Sequence, residues 1–223
     1  MSLAQPDAAV AAFERLLAPE ESERARRFIF KRDRDRFIVA RGSLRTLLGR
    51  YLEQSPGHLQ FAYGKHGKPF LEHPSDLLFN VSHSSTMAVF AFGKGRQLGV
   101  DVEYVRRDLD ATAIATRFFS PAEVAALNRL PGHARIEGFF NCWTRKEAYI
   151  KARGEGIFFG LDNFDVSLAP GEAAVLMRVE GQPAELSRWT FATLSVHPDY
   201  AAAVIAEGND WRLRCWEYGD VGR

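Results

Sequence analysis

Two carboxylates spaced two residues apart on a strand make a place for a cation. The segment Gly99-Val100-Asp101-Val102-Glu103 has that spacing. Alternate residues of a strand share a face, so Val100 and Val102 point to a core while Asp101 and Glu103 project together from the other side. Carboxylates this close repel unless a cation lies between them. Hard oxygen ligands suit Mg²⁺, which takes one or two carboxylates and completes its shell with waters and substrate phosphates. A plain solvent-facing strand has the same alternation. A second segment, Trp143-Thr144-Arg145-Lys146-Glu147-Ala148-Tyr149-Ile150-Lys151, reads as helix. Trp143, Glu147 and Lys151 recur every four residues, close to one line on its surface. Glu147 is then a third carboxylate, as metal ligand or general base, and Lys151 a cation for a phosphate. The competing explanation is a Glu-to-Lys helix pair, worth about 0.2–0.5 kcal/mol. Lys146 has the same phosphate option, or simple exposure.

Two further segments carry polar chemistry. In Phe79-Asn80-Val81-Ser82-His83-Ser84, at the end of one strand and before the next, Ser and His side chains and turn N–H groups suit a phosphate. A nucleophilic Ser82–His83 pair is disfavoured, because adjacent strand residues face opposite sides and no Gly-x-Ser-x-Gly elbow accompanies them. Residues 21–50 hold ten basic residues, Arg24, Lys31 and Arg36 among them, against four acidic ones, a local surplus of six. This is either a solvated helix face or an anion site for a nucleotide or an acidic protein. Lys65 and Lys68, in Tyr63-Gly64-Lys65-His66-Gly67-Lys68-Pro69, extend the same sign, and the glycines allow close backbone approach to a ligand.

The elements that must hold these groups follow from periodicity. Helices are expected over 7–17, ended by Pro19, and over 20–31 and 35–53. The period then changes to two. Strands are expected at Leu77–Val81, Met87–Phe92 and Leu98–Val102, with a turn at Gly93-Lys94-Gly95. Ser120-Pro121-Ala122-Glu123 reads as a helix start, with Ser as N-cap, Pro at the first position and Glu at the third. A long helix over 134–153 ends at Gly154. The tail reads as strands at Phe164–Leu168, Ala174–Val179, Trp189–Val196, Tyr200–Ala206 and Trp211–Trp216. The order helices, strands, helices, strands predicts an α+β protein of two halves, 1–105 and 106–223.

The 223 residues have a net charge of +1 and are 46% hydrophobic, which excludes a disordered chain and argues against a broad polyanion-binding surface. The near-neutral total weighs against nucleic acid as a partner. Cys142 and Cys215 show no metal-binding spacing and read as buried apolar residues. The N-terminus does not read as a signal peptide and no window suits a membrane span, so a soluble, cytoplasmic protein, working as a monomer without a membrane partner, is expected.

Gly-Lys-Pro at 67–69, Asn-Val-Ser-His-Ser at 80–84, Gly-Val-Asp-Val-Glu at 99–103, Arg-Phe-Phe-Ser-Pro-Ala-Glu at 117–123 and Trp-Thr-Arg-Lys-Glu-Ala-Tyr-Ile-Lys at 143–151 occur in that order. This set, across roughly residues 24–165, resembles the 4′-phosphopantetheinyl transferases, in particular the large single-chain type that activates peptide and polyketide synthetases. The resemblance implies a pseudo-twofold pair of α+β halves with the active site at their junction. It implies Mg²⁺-dependent transfer of the phosphopantetheine arm of coenzyme A to a serine of an apo acyl or peptidyl carrier protein, releasing 3′,5′-ADP. It assigns the metal to Asp101, Glu103 and Glu147, with Glu147 alternatively taking the serine proton, and the pyrophosphate to Lys151. It assigns the coenzyme A nucleotide to Lys68, Ser82, His83 and basic residues of the first helices, for which Arg24, Lys31 and Arg36 are the candidates. Glu21 breaks the family's basic pattern and Arg24 keeps it. Glu123 matches an acidic position lining the active site, in competition with its capping role. Thr144, where some members have Ser or Cys, is a mild departure.

Overall fold

The computed structural model describes residues 1–154 and 159–218. Its described residues form two compact units that are not continuous in sequence. The first comprises Met1–Ala62, Leu71–Pro74 and Thr86–Ala88, and the second comprises Tyr63–Phe70, Ser75–Ser85 and the described chain from Val89 onward. This division differs from the halves 1–105 and 106–223 read from element order, because β3 (Leu77–Ser84) and β5 (Leu98–Tyr104) pack with the later elements.

In the first unit, α1 (Asp7–Glu14), α2 (Pro19–Arg26) and α3 (Lys31–Leu52) carry the basic cluster. Pro19 opens α2 instead of only ending α1, since its missing N–H costs nothing in a first turn. Helix α3 starts at Lys31, four residues before the expected boundary. Close packing of α1 on α3 uses Gly42, where a Cβ would stand 2.6 Å from the Phe13 side chain. Glu21 is buried and accepts the Ala18 N–H (3.0 Å) and Arg45 Nε (2.6 Å), with Arg41 Nε at 3.4 Å. Arg45 Nη1 donates to the Pro56 and Leu59 carbonyls, at 2.9 and 3.0 Å. The acidic residue that interrupts the basic run is therefore the internal counter-charge of two of its arginines.

The chain continues through a short hairpin, β1 (Phe61–Tyr63) and β2 (Pro69–Leu71), then β3, β4 (Met87–Lys94) and β5. Helices α4 (Ala111–Phe118), α5 (Pro121–Arg129) and α6 (Gly132–Arg153) follow, then β6 (Phe164–Val166), β7 (Leu176–Val179), α7 (Glu185–Arg188), β8 (Trp189–Thr193) and β9 (Tyr200–Glu207). The sheets are β3–β4, β6–β7 and the three-stranded β5–β9–β8. The β5–β9 ladder is antiparallel and pairs Asp101 with Ala203 and Glu103 with Ala201. Because β9 has a neighbour on each edge, no edge of it is left for the chain that follows. Trp211–Trp216, expected as a strand, is not one, and Cys215 within it is exposed, not buried as expected. Cys142 is buried as expected.

The start of α5 is as the sequence predicts. Ser120 Oγ accepts the Glu123 N–H, and Glu123 Oε2 accepts the Ser120 N–H, at 3.2 and 3.0 Å. Glu123 does more: Oε1 accepts the Val166 N–H at 2.9 Å, and Oε2 lies 2.7 Å from Lys146 Nζ. Lys146 is fully buried, not exposed, and also donates to the Leu161 and Phe164 carbonyls, at 2.6 and 2.5 Å. Removing one partner of such a pair strands the other charge, which costs about 3–5 kcal/mol. Helix α6 ends at Gly154, whose φ of 72° is the left-handed conformation glycine adopts freely. Among the described residues no helix is long and apolar enough to cross a membrane.

Helix α6 lies across β5 so closely that their backbones touch at Gly99. A Cβ there would collide with the Ala148 carbonyl oxygen and stand 2.5 Å from the Ala152 nitrogen. Gly99→Ala is expected to lower stability by at least the about 1–3 kcal/mol typical of overpacking, read as a lower melting temperature by circular dichroism. Gly132→Ala, with open space around the position, is expected to leave the melt unchanged.

Candidate active site

Strand β3 runs alongside β5 with a constant offset of twenty residues. The N–H groups of Val100, Val102 and Tyr104 are met by side chains: Asn80 Oδ1 at 2.8 Å, Ser82 Oγ at 3.3 Å and Ser84 Oγ at 3.1 Å. Each alternate residue of Asn-Val-Ser-His-Ser thus does what a neighbouring backbone carbonyl does in a ladder. The two serine protons are left for the carboxylates. Ser82 Oγ donates to Asp101 Oδ1 at 2.7 Å, and Ser84 Oγ donates to Glu103 Oε2 at 2.6 Å.

The carboxylate face of β5 opens on a cavity of about 350 Å³, lined by Val81, Ser82, His83, Asp101, Glu103, Trp143, Glu147 and Lys151. The expected line of Trp143, Glu147 and Lys151 on α6 does face the expected pair on β5. All of these residues belong to the second unit. Lys151 Nζ lies 2.6 Å from Asp101 Oδ1 and 2.9 Å from Ser82 Oγ. Asp101 is 2% exposed, and among the described residues its Oδ2 has no hydrogen-bond partner. Burial pushes the Asp101 carboxyl up, against the opposing pull of the Lys151 ammonium and the Ser82 hydroxyl. Burial likewise raises Glu103, against the pull of Ser84 and reinforced by Asp101. Glu147 is raised by burial and then by the Asp101 charge, while Lys151 opposes. The site is thus short of positive charge.

Among the described residues no three His, Cys, Asp or Glu side chains are gathered closely enough to hold a metal as they stand. Lys151 meets Asp101 Oδ1, and Ser84 meets Glu103 Oε2. The donor set nonetheless fits a hard divalent cation: three carboxylates lifted by burial line one cavity, and a buried oxygen of Asp101 is unpartnered.

Lys68 does not line the cavity. Its Nζ donates to the Lys151 carbonyl at 2.7 Å and to the Leu98 carbonyl at 3.4 Å, and burial lowers its pKa to about 8. It ties the end of α6 to the start of β5, directly under the catalytic candidate Lys151. Glu123 and Lys146 form their buried pair outside the cavity, so Glu123 is a structural carboxylate and not an active-site wall. Arg24, Lys31 and Arg36 lie in the first unit, where Lys31 pairs with Asp7 at 2.8 Å and Asp35 at 2.5 Å, and Arg36 approaches Asp33 at 4.0 Å. Sequence reasoning assigned Asn80 no role and saw Ser84 only as part of a phosphate-suited motif, although their alternation with Ser82 along one strand was a signal that they share its face. It also missed a second cavity, about 400 Å³, walled by Leu109, Ile114, Phe139 and Phe140, with Arg106 beside them, and sharing Ser84 with the β3 ladder and Glu103 and Trp143 with the first cavity.

Comparison with known proteins gives this geometry a context. Residues 97–205 match the 4′-phosphopantetheinyl transferase superfamily, and residues 5–94 match the family described as 4′-phosphopantetheinyl transferase, N-terminal. The 4′-phosphopantetheinyl transferase HetI of Nostoc sp. is 39% identical over 219 residues, covering 97% of this chain and 89% of the relative. The 4′-phosphopantetheinyl transferase Sfp of Bacillus subtilis is 29% identical over 200 residues, covering 89% of this chain and 86% of Sfp. Among solved structures, the holo-[acyl-carrier-protein] synthase of Thermotoga maritima overlaps 50% of this chain and 62% of its own, at 20% identity and a TM-score of 0.40. With HetI alike along nearly the whole length, the chain belongs to the 4′-phosphopantetheinyl transferase family.

Proposed function

We propose that this chain transfers the 4′-phosphopantetheine arm of coenzyme A to a serine hydroxyl of an apo acyl or peptidyl carrier protein. A new bond forms between the serine oxygen and the phosphorus that carries the arm. The bond from that phosphorus to the bridging oxygen breaks, 3′,5′-ADP leaves, and the serine proton passes to a base. The observation that carries this reading is the convergence of Asp101, Glu103, Glu147 and Lys151 on one cavity in a chain of this family.

Asp101, Glu103 and Glu147 are the residues we assign to Mg²⁺, which when bound neutralises charge on the pyrophosphate oxygens. Lys151 supplies positive charge of its own. Its ammonium rests on Asp101 and Ser82, and it turns to the pyrophosphate once coenzyme A is bound. Glu147 has two roles open to it, as a metal ligand or as the acceptor of the serine proton. Burial and the Asp101 charge raise its carboxyl, which moves it toward the basicity a general base needs. Ser82 and His83 line the same cavity and are assigned to the nucleotide side of coenzyme A. Arg24, Lys31 and Arg36, in the first unit, are proposed as anion-binding residues on the strength of the sequence alone. Lys68, committed to two carbonyls, serves by holding Lys151 in place. We place the uncharged arm in the second cavity, against the apolar wall of Leu109, Ile114, Phe139 and Phe140. In terms of the halves 1–105 and 106–223, the first supplies Asp101 and Glu103 and the second Glu147 and Lys151. We place the reaction in the cytoplasm, carried out by a monomer.

Intact-mass measurement of a panel of apo carrier proteins, incubated with coenzyme A and Mg²⁺, is expected to show a gain of one phosphopantetheine arm. No gain on any carrier, with hydrolysis of another phosphoester instead, would overturn the proposal. Asp101→Ala is expected to slow transfer by at least about 10²-fold while weakening coenzyme A binding less. The raised carboxyls set a further expectation. A group that holds its proton more tightly in the folded state costs stability as pH rises through its raised value, and a cation binding the charged form returns that stability. Mg²⁺ is therefore expected to raise the melting temperature more at about pH 8 than at about pH 5. Glu147→Gln, in the absence of metal, is expected to melt at or above the parent protein while losing transfer activity.

A further inference from the structure

We infer that Ser84 is a positioning residue for Glu103, and hence for the cation site. This rests on the metal-dependent reading above. Three features of the structure carry it.

The first is the directionality forced on the Ser84 hydroxyl. A serine hydroxyl has one proton and two lone pairs. The Tyr104 N–H points at Oγ from 3.1 Å and takes a lone pair. The proton is then turned toward Glu103, whose Oε2 lies 2.6 Å away. A hydrogen bond to an ionised acceptor is short and strong, so this contact fixes one carboxylate oxygen and leaves Oε1 to face the cavity.

The second is repetition. Ser82 makes the same pair of contacts one step earlier, accepting the Val102 N–H and donating to Asp101 Oδ1. Two identical devices, two residues apart on β3, address two carboxylates two residues apart on β5. Ser82 also meets Lys151, while the Ser84 device acts on Glu103 alone. The separation of the two carboxylates is thus copied from the pleat of the neighbouring strand.

The third is placement. Ser84 is the last residue of β3 and Tyr104 the last of β5. Beyond them neither strand continues, so Ser84 is the last residue of β3 placed to reach Glu103, whose backbone is held from the other side by β9. Ser84 and Glu103 both line the second cavity, and Glu103 lines the first as well. Loss of the hydroxyl frees a carboxylate at the boundary between the two.

The test uses Mn²⁺ as the probe, with free Mn²⁺ followed by electron paramagnetic resonance as full-length enzyme is added. Coenzyme A affinity is measured separately by calorimetry. Ser84→Ala is expected to weaken Mn²⁺ binding by about 10-fold or more, the range seen when the partner of a metal ligand is removed, and to lower coenzyme A affinity less. Ser84→Thr, which keeps the hydroxyl and suits a strand, is expected to restore Mn²⁺ affinity. An unchanged Mn²⁺ affinity in Ser84→Ala, or a Ser84→Thr variant as weak as Ser84→Ala, would overturn the inference. Where Ser84→Ala does not fold, Ser84→Cys decides: it keeps the volume with a poor donor, and parent-like Mn²⁺ binding by it would overturn the inference. A parent enzyme that modifies carriers yet binds no Mn²⁺ would end this inference and leave the transferase reading standing. A parent enzyme that modifies no carrier ends the transferase reading itself.

Discussion

Asp101 is a carboxylate buried in the middle of a strand, and much of the second unit is arranged around that fact. An unpaired charge in such a place costs several kcal/mol, so partners must reach it from neighbouring elements. Ser82 reaches from β3 and Lys151 from α6. For the α6 cation to arrive, the helix must lie almost on the strand backbone, and only a residue without a Cβ at position 99 permits that. Lys68 then holds the same junction from its far side by capping the Lys151 and Leu98 carbonyls. The glycine before the acidic pair and the lysine at the end of the helix motif are thus two halves of one contact.

The ion pair is also a poised one. Lys151 covers one oxygen of Asp101 while the other has no partner among the described residues. Glu103 and Glu147 stand close enough to feel the Asp101 charge. One ammonium for three carboxylates leaves the cluster under-neutralised. The divalent cation proposed for this site would relieve that repulsion. Burying three carboxylates beside one ammonium costs local stability, as expected where function and packing compete.

Charge elsewhere in the chain is used differently. The surplus in residues 21–50 reads as a surface feature, yet Arg45 is buried against Glu21, and Arg41 stands beside it. Glu123 and Lys146 form a second buried pair that joins α5, α6 and β6. Neither pair faces the cavity of the second unit. Each satisfies backbone groups as well as its partner, so each ties several segments together through one side chain. A list of charged motif residues cannot separate these structural pairs from the site, because both use acid beside base.

Much of the architecture was legible along the chain. The capping box at Ser120 and Glu123, the stop at Gly154 and the helical line of Trp143, Glu147 and Lys151 depend on neighbours within about one or two helical turns, and local spacing encodes them. The alternation of Asp101 and Glu103 is likewise a property of any strand. What the chain alone could not decide is which partner each group meets across long separations. Lys146 and Lys151 sit five apart on the same helix, and one is sealed inside while the other faces the cavity. Ser82 and Ser84 were visible as a phosphate-binding pattern, but their hydroxyls are turned toward β5 by the parallel offset of two strands. Trp211–Trp216 alternates like a strand and is none, because alternation does not supply a pairing partner. Sequence spacing determined the residue types and the faces they share. The tertiary structure decided which faces meet, since that depends on backbone proximity, on the missing Cβ at Gly99 and on the edges left open by earlier pairing.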